Sequence, residues 1–116
     1  MIIKKKYNIF MKTKFQDLRN KNVIITGGSG FIGKQISKAF SAQGSNVYVL
    51  DLKVLKSERN ISFLKTDITN TNELEKNLNF FKKKKIKIDI LINNAANDYK
   101  PNNKDSNKLK LENFSN

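Results

Sequence analysis

A β-branched run, Val23-Ile24-Ile25, passes straight into Thr26-Gly27-Gly28-Ser29-Gly30-Phe31-Ile32-Gly33, and beyond it apolar residues recur with helical period. No other stretch of this 116-residue chain restricts its fold so strongly. The glycines at 27, 30 and 33 fall at a strand-to-helix turn. Gly27 lets the chain leave the strand tightly, Gly30 leaves the backbone open to a bulky anion, and Gly33 lets the helix pack closely on the strand. A helix starting there offers free N–H groups and a partial positive charge, so the stretch reads as a phosphate-binding turn.

The acidic end of a second strand supports that reading. Asn46-Val47-Tyr48-Val49-Leu50-Asp51 is short and nearly continuous in apolar residues, as strands buried on both faces of a parallel sheet are. A carboxylate at its end accepts hydrogen bonds from ribose hydroxyls and repels a 2′-phosphate, which favours NAD, while Lys53 close behind keeps NADP open. Between the strands, Ile32, Ile36, Ala39 and Phe40 predict a helix with its apolar face on the sheet, stopped at Gln43-Gly44-Ser45. The lead-in residues Phe15 and Leu18 are expected to cap the lower edge of the sheet.

Ile61 to Thr66 reads as a third strand running into Asp67-Ile68. Asn70 or Thr71 can cap a second helix, with Glu73 in its first turn, Leu74, Leu78 and Phe81 as its apolar stripe, and Lys82 to Lys85 at its negative end. Ile86 to Ile92 predicts a fourth strand, which delivers Asn93-Asn94-Ala95-Ala96 to the same edge as the glycine turn. Strands separated by helices imply right-handed crossovers. The expected fold is therefore α/β, a partial Rossmann-type doubly wound parallel sheet in strand order 3-2-1-4. Its crevice lies where the winding reverses between strands 1 and 4. Residues 1–20 form a lead-in, 21–97 the dinucleotide-binding half and 98–116 a polar loop with an incomplete helix.

Composition removes several function classes. The chain has neither cysteine nor histidine, so disulfides, His/Cys metal sites and Ser-His-Asp or Cys-His catalysis are excluded within it. No apolar run approaches the ~18 residues of a membrane span, and the lysine-interrupted N-terminus does not read as a secretory signal; a cytoplasmic protein without a membrane partner is expected. The net charge of +13 raises the question of nucleic acid. Lysine, asparagine and isoleucine are enriched together along the whole chain, however, and the two arginines, Arg19 and Arg59, come with no aromatic platform. A composition-wide bias explains the charge, and no specific nucleic-acid partner is expected.

Thr26-Gly27 to Gly33, then Asp51, then Thr66-Asp67-Ile68, then Asp89-Ile90-Leu91-Ile92-Asn93-Asn94-Ala95-Ala96 together resemble the N-terminal half of a short-chain dehydrogenase/reductase. The resemblance implies a nicotinamide dinucleotide cofactor. It places Gly27, Ser29, Gly30, Phe31, Ile32 and Gly33 on the pyrophosphate, Asp51 and Leu52 on the adenosine ribose, and Asp67 and Ile68 on the adenine. Asn93 and Ala95 fall beside the nicotinamide ribose, with Asn93 also fastening the middle of the sheet. Two features depart from that pattern. Phe31-Ile32 before Gly33 resembles the branch containing nucleotide-sugar epimerases and dehydratases, and Ala96 replaces the glycine common after the alanine.

The family's chemistry depends on a tyrosine four residues before a lysine, with a serine. Tyr7, Tyr48 and Tyr99 are followed at that spacing by Met11, Leu52 and Asn103, so no catalytic residue is assigned. The polar stretch from Tyr99 reads as the end of a fragment, inactive alone and aggregation-prone because strand 4 becomes an apolar sheet edge. Full-length relatives are expected to be homo-oligomers, an assembly this fragment is not expected to form. An epimerase or dehydratase fragment and a non-catalytic dinucleotide- or polyanion-binding module stand as the alternatives.

Overall fold

The computed structural model describes residues 13–96, and the expectations for 1–12 and 97–116 lie outside them. Four strands form one parallel sheet: β1 (Asn22–Thr26), β2 (Asn46–Asp51), β3 (Ile61–Lys65) and β4 (Ile90–Asn93). Their order is β3-β2-β1-β4, as the sequence predicts. β1 lies inside the sheet, with Val23 opposite both Val47 and Ile90, and Ile25 opposite Val49 and Ile92. All four residues from Val23 to Thr26 are buried, which accounts for the unbroken apolar run.

Two helices cover the two faces. Against one face, Ile36 and Phe40 of α1 (Phe31–Ala42) pack on Val23, Ile25, Val47, Val49 and Ile61. Against the other, Phe80 and Phe81 of α2 (Thr71–Lys83) pack with Ile24, Leu50 and Tyr48. The Phe81 ring meets Tyr48 edge-on, with centroids 5.0 Å apart. Each fully buried aliphatic or aromatic side chain in these clusters contributes roughly 1.5–3 kcal/mol.

Several details differ from the sequence reading. The inward stripe of α1 is Gly33, Ile36, Ser37 and Phe40; Ile32 is 65% exposed and Ala39 also faces solvent. Small residues at 33 and 37 bring the helix close, and the buried Ser37 hydroxyl donates to the Gly33 carbonyl at 2.8 Å. On α2, Phe81 is buried but Leu78 is 47% exposed. The link between β2 and β3, residues 52–60, contains no helix, so only two of the three connections do. β3 ends at Lys65, although the Thr66 amide still donates to the Asp51 carbonyl at 2.9 Å.

The fourth strand departs most. An uninterrupted strand over 86–92 would put its four even-numbered isoleucines on one face. Instead Ile86 and Ile88 pack with the α2 cluster, and Ile90 and Ile92 with the α1 cluster. The phase breaks at Asp89, whose Oδ2 accepts from the Asn22 amide at 2.9 Å while the Asn22 side chain donates to the Lys87 carbonyl at 2.8 Å. The ladder therefore starts only at Ile90.

The lead-in also differs from the expectation. Phe15 is 55% exposed, not tucked under the sheet. The segment is tied to the end of α1 by polar bonds: Phe15 N–H to Gln43 Oε1 at 2.8 Å, and Ser45 Oγ to the Leu18 carbonyl at 2.6 Å. No described helix is long and apolar enough to cross a membrane.

Candidate functional site

Because every strand runs the same way, the four carboxyl ends meet at one edge of the sheet, where a cleft of about 870 Å³ opens. The turn after β1 forms one wall. Gly27 adopts a φ of +68°, which an L side chain rarely tolerates, and its amide donates to the Leu50 carbonyl at 2.9 Å. A side chain at Gly33 would strike the Gly27 carbonyl and stand 2.6 Å from Asn94 Nδ2. Gly33 thus admits the turn and the segment after β4, and the close approach to a strand falls to Gly28, where a Cβ would come within 2.7 Å of Val49. Gly30 opens outward, and as the N-cap of α1 it supplies no side-chain bond to the first turn.

The end of β2 forms the second wall. Asp51 Oδ2 accepts from the Ser29 amide at 3.0 Å, and Oδ1 from the Lys53 amide at 3.2 Å. The Ser29 hydroxyl donates to the Lys53 carbonyl at 2.6 Å. At the end of β3, Asp67 Oδ1 accepts from the Thr69 hydroxyl at 2.6 Å and the Thr69 amide at 2.9 Å. Those two bonds, the hydroxyl's first, hold the Asp67 carboxyl below its ordinary range against the opposing effect of desolvation. The Asp67 amide donates to Glu73 Oε2 at 3.1 Å, which joins this wall to the start of α2.

Past β4, Asn94 Nδ2 donates to the Gly27 carbonyl at 3.0 Å, and Thr26 Oγ1 accepts the Asn94 and Ala95 amides at 3.2 and 3.1 Å. Eleven of the twelve residues predicted from the sequence therefore line one cleft: Gly27, Ser29, Gly30, Phe31, Ile32, Gly33, Asp51, Leu52, Asp67, Ile68 and Ala95. Asn93 stands outside the lining, exposed at the end of β4 opposite Thr26. The fastening expected of it is made by Asn94. Sequence reasoning missed Asn94 and Thr26 as the pair that joins β1 to β4, although both lie within the motifs it singled out. Phe31 is 87% exposed, and with Ile32, Leu52 and Ile68 it gives the cleft an apolar rim. Tyr48, by contrast, lies in the core against Phe81. Among the described residues no group of acidic side chains is placed to hold a metal ion.

A glycine turn, an acidic strand end and a crevice at the reversal of a parallel sheet define a Rossmann-type α/β protein. The family model for short chain dehydrogenase matches residues 21–116. The chain belongs to the short-chain dehydrogenase/reductase family. It is 35% identical over 95 residues to the short chain dehydrogenase/reductase dpfgG of Gibberella zeae, a match covering 74% of this chain and 35% of that protein. Among solved structures it is similar to ligand-free aldohexose dehydrogenase from Thermoplasma acidophilum, at 34% identity and a TM-score of 0.64, over 71% of this chain and 32% of that one. A short chain dehydrogenase from Leptospira borgpetersenii with bound NAD+ matches at 28% identity and a TM-score of 0.61, over 72% and 33% of the two chains. The chain thus spans about a third of the length of the relatives it matches.

Proposed function

We infer that this chain is the cofactor-binding portion of an NAD-dependent short-chain oxidoreductase, and that it holds a nicotinamide dinucleotide without catalysing a reaction alone. One observation carries the reading: a single cleft gathers an uncapped helix N-terminus, a carboxylate at the end of β2 and an apolar rim. Such a set fits the parts of a dinucleotide. The N–H groups at the start of α1 suit the pyrophosphate, which Gly30 can approach without meeting a side chain. Asp51 suits the adenosine ribose, with Leu52 beside it, and Asp67 with Ile68 the adenine. Ala95, in the lining, is assigned to the nicotinamide ribose on the family pattern, whereas the position of Asn93 outside the lining gives its share of that role no support.

The bound nicotinamide would supply hydride transfer to or from a carbinol or carbonyl carbon. This chain's residues bind and orient it. No tyrosine here precedes a lysine by four residues, so the proton-transfer machinery of the family has no counterpart in the sequence. The epimerase and polyanion-binding readings stand as the alternatives; the dehydrogenase reading is favoured because the matching family model is that of the short chain dehydrogenases, and among the described residues Lys53 is the one lysine that lines the cleft.

A thermal melt of the purified chain with millimolar NAD or NADP tests the proposal. A ligand present at ~100 times its dissociation constant adds about 2.7 kcal/mol, a rise of roughly 10 °C in a domain this small. A clear rise with NAD and a smaller one with NADP is expected. No rise with either would overturn the reading.

A further inference from the structure

We propose that Ser29 is a positioning residue for cofactor selection: its hydroxyl, bonded to the Lys53 carbonyl, fixes the Asp51–Lys53 turn and with it the orientation of the Asp51 carboxylate. This inference rests on the reading of the cleft as a dinucleotide site. Three hydrogen bonds close a ring among Ser29, Asp51 and Lys53. The Ser29 amide reaches Asp51 Oδ2 at 3.0 Å, the Lys53 amide reaches Oδ1 at 3.2 Å, and the Ser29 hydroxyl reaches the Lys53 carbonyl at 2.6 Å. The two walls of the cleft, 22 to 24 residues apart in sequence, are joined through it.

A carboxylate accepts about four hydrogen bonds, two on each oxygen. Here each Asp51 oxygen takes one backbone N–H, which leaves one acceptor position per oxygen. That is the number needed by two adjacent hydroxyls, and it offers nothing to a 2′-phosphate except repulsion. Only the hydroxyl bond is contributed by a side chain other than Asp51 itself. Without it the Lys53 carbonyl turns to water, and the Lys53 amide bond, the longest of the three, loses its support. A loosened turn frees the carboxylate to rotate and brings the exposed Lys53 within reach of a 2′-phosphate.

The discriminating quantity is the ratio of NAD to NADP affinity, measured by calorimetric titration of the full chain. A purely structural loss lowers both affinities together and leaves the ratio alone. In S29A the ratio is expected to fall about fivefold or more, equivalent to the ~1 kcal/mol of one hydrogen bond. S29T, which keeps a hydroxyl, retains the wild-type ratio within about twofold. S29C keeps the size but donates weakly, and follows S29A; it separates loss of the bond from loss of the fold. Hydrogen exchange without cofactor gives a second readout, with the Lys53 amide exchanging severalfold faster in S29A while the amides of β1 are unchanged.

A wild type that prefers NAD, with an S29A or S29C variant of unchanged ratio or unchanged Lys53 protection, overturns the role of Ser29 alone. Equal losses of both cofactors overturn it too. A wild type that binds neither cofactor overturns the dinucleotide reading, and this inference with it.

Discussion

The two helices begin at the same edge of the sheet, α1 after β1 and α2 after β3, yet their first turns are completed in opposite ways. At α2 the Asn70 side chain accepts the Glu73 amide at 3.2 Å, and the Glu73 carboxylate sits in the first turn, where it also accepts from Asp67. Helix α1 starts from Gly30 with neither a side-chain cap nor an acidic residue. A cap contributes about 1 kcal/mol, and a carboxylate in the first turn a further 0.3–1 kcal/mol. One helix thus satisfies its positive end from its own sequence, and the other leaves that end to whatever enters the cleft. Location at the carboxyl edge is common to both; the missing cap is what distinguishes the proposed pyrophosphate site.

The comparison can be broken most severely at Gly33. Alanine there would meet the Gly27 carbonyl and lie 2.7 Å from Gly28 Cα, atoms that cannot yield as a flexible side chain would. G33A is expected to cost about 2–3 kcal/mol by overpacking and to abolish cofactor binding, as denaturant unfolding and titration would show. A fold of wild-type stability would mean that the start of α1 is not packed against the turn.

G30D sharpens the contrast, since it gives α1 the kind of cap α2 already has. The position has ordinary extended backbone, and a Cβ meets only the Gly27 carbonyl, at 3.5 Å. Stability is expected to change by only a few tenths of a kcal/mol. NAD affinity should fall at least tenfold, or ~1.4 kcal/mol, because the new carboxylate occupies and neutralises the anion site. Undiminished NAD binding would separate the helix N-terminus from the site.

The converse change, N70A, removes the α2 cap. A loss of about 1 kcal/mol in unfolding free energy is expected, with NAD affinity kept within about twofold. Should N70A instead impair binding as much as G30D, the two helix starts would not be functionally distinct.

The smallest effect concerns acid stability. The Asp67 carboxyl titrates below its unfolded range of about 3.8 when folded, so it stabilises the fold above that pH, and the contribution is lost as pH falls through the folded value. Removing the Thr69 hydroxyl in T69V weakens the main cause of the shift. The difference in melting temperature between wild type and T69V should therefore shrink as pH is lowered from 7 to below 3. A difference that does not change with pH would mean that Thr69 acts through packing.

Much of this architecture was legible because its signals are local. A β-branched run followed by spaced glycines needs no distant partner to be recognised, and neither does the Asn70/Glu73 cap, which is complete within four residues. The fourth strand was harder. Its isoleucines alternate perfectly, but Asn22, nearly seventy residues away, bonds Asp89 and splits them between two faces. Asn93 and Asn94 are equivalent in composition, and only the end of β4 decides which of them reaches Gly27.

By itself the sequence determined the order of elements, the parallel class of the sheet and the turn at Gly27, since strand period, helix period and positive φ are properties of short segments. Tertiary structure alone decided that Gly28, rather than Gly33, meets Val49, that Asn94 locks β4 to the glycine turn, and that Ser29 clasps Lys53. The two hydrogen bonds join groups 24 and 67 residues apart, and the Gly28 approach depends on a sub-ångström clearance from the Val49 side chain. Pairings of that kind exist only once the sheet has brought its four carboxyl ends together.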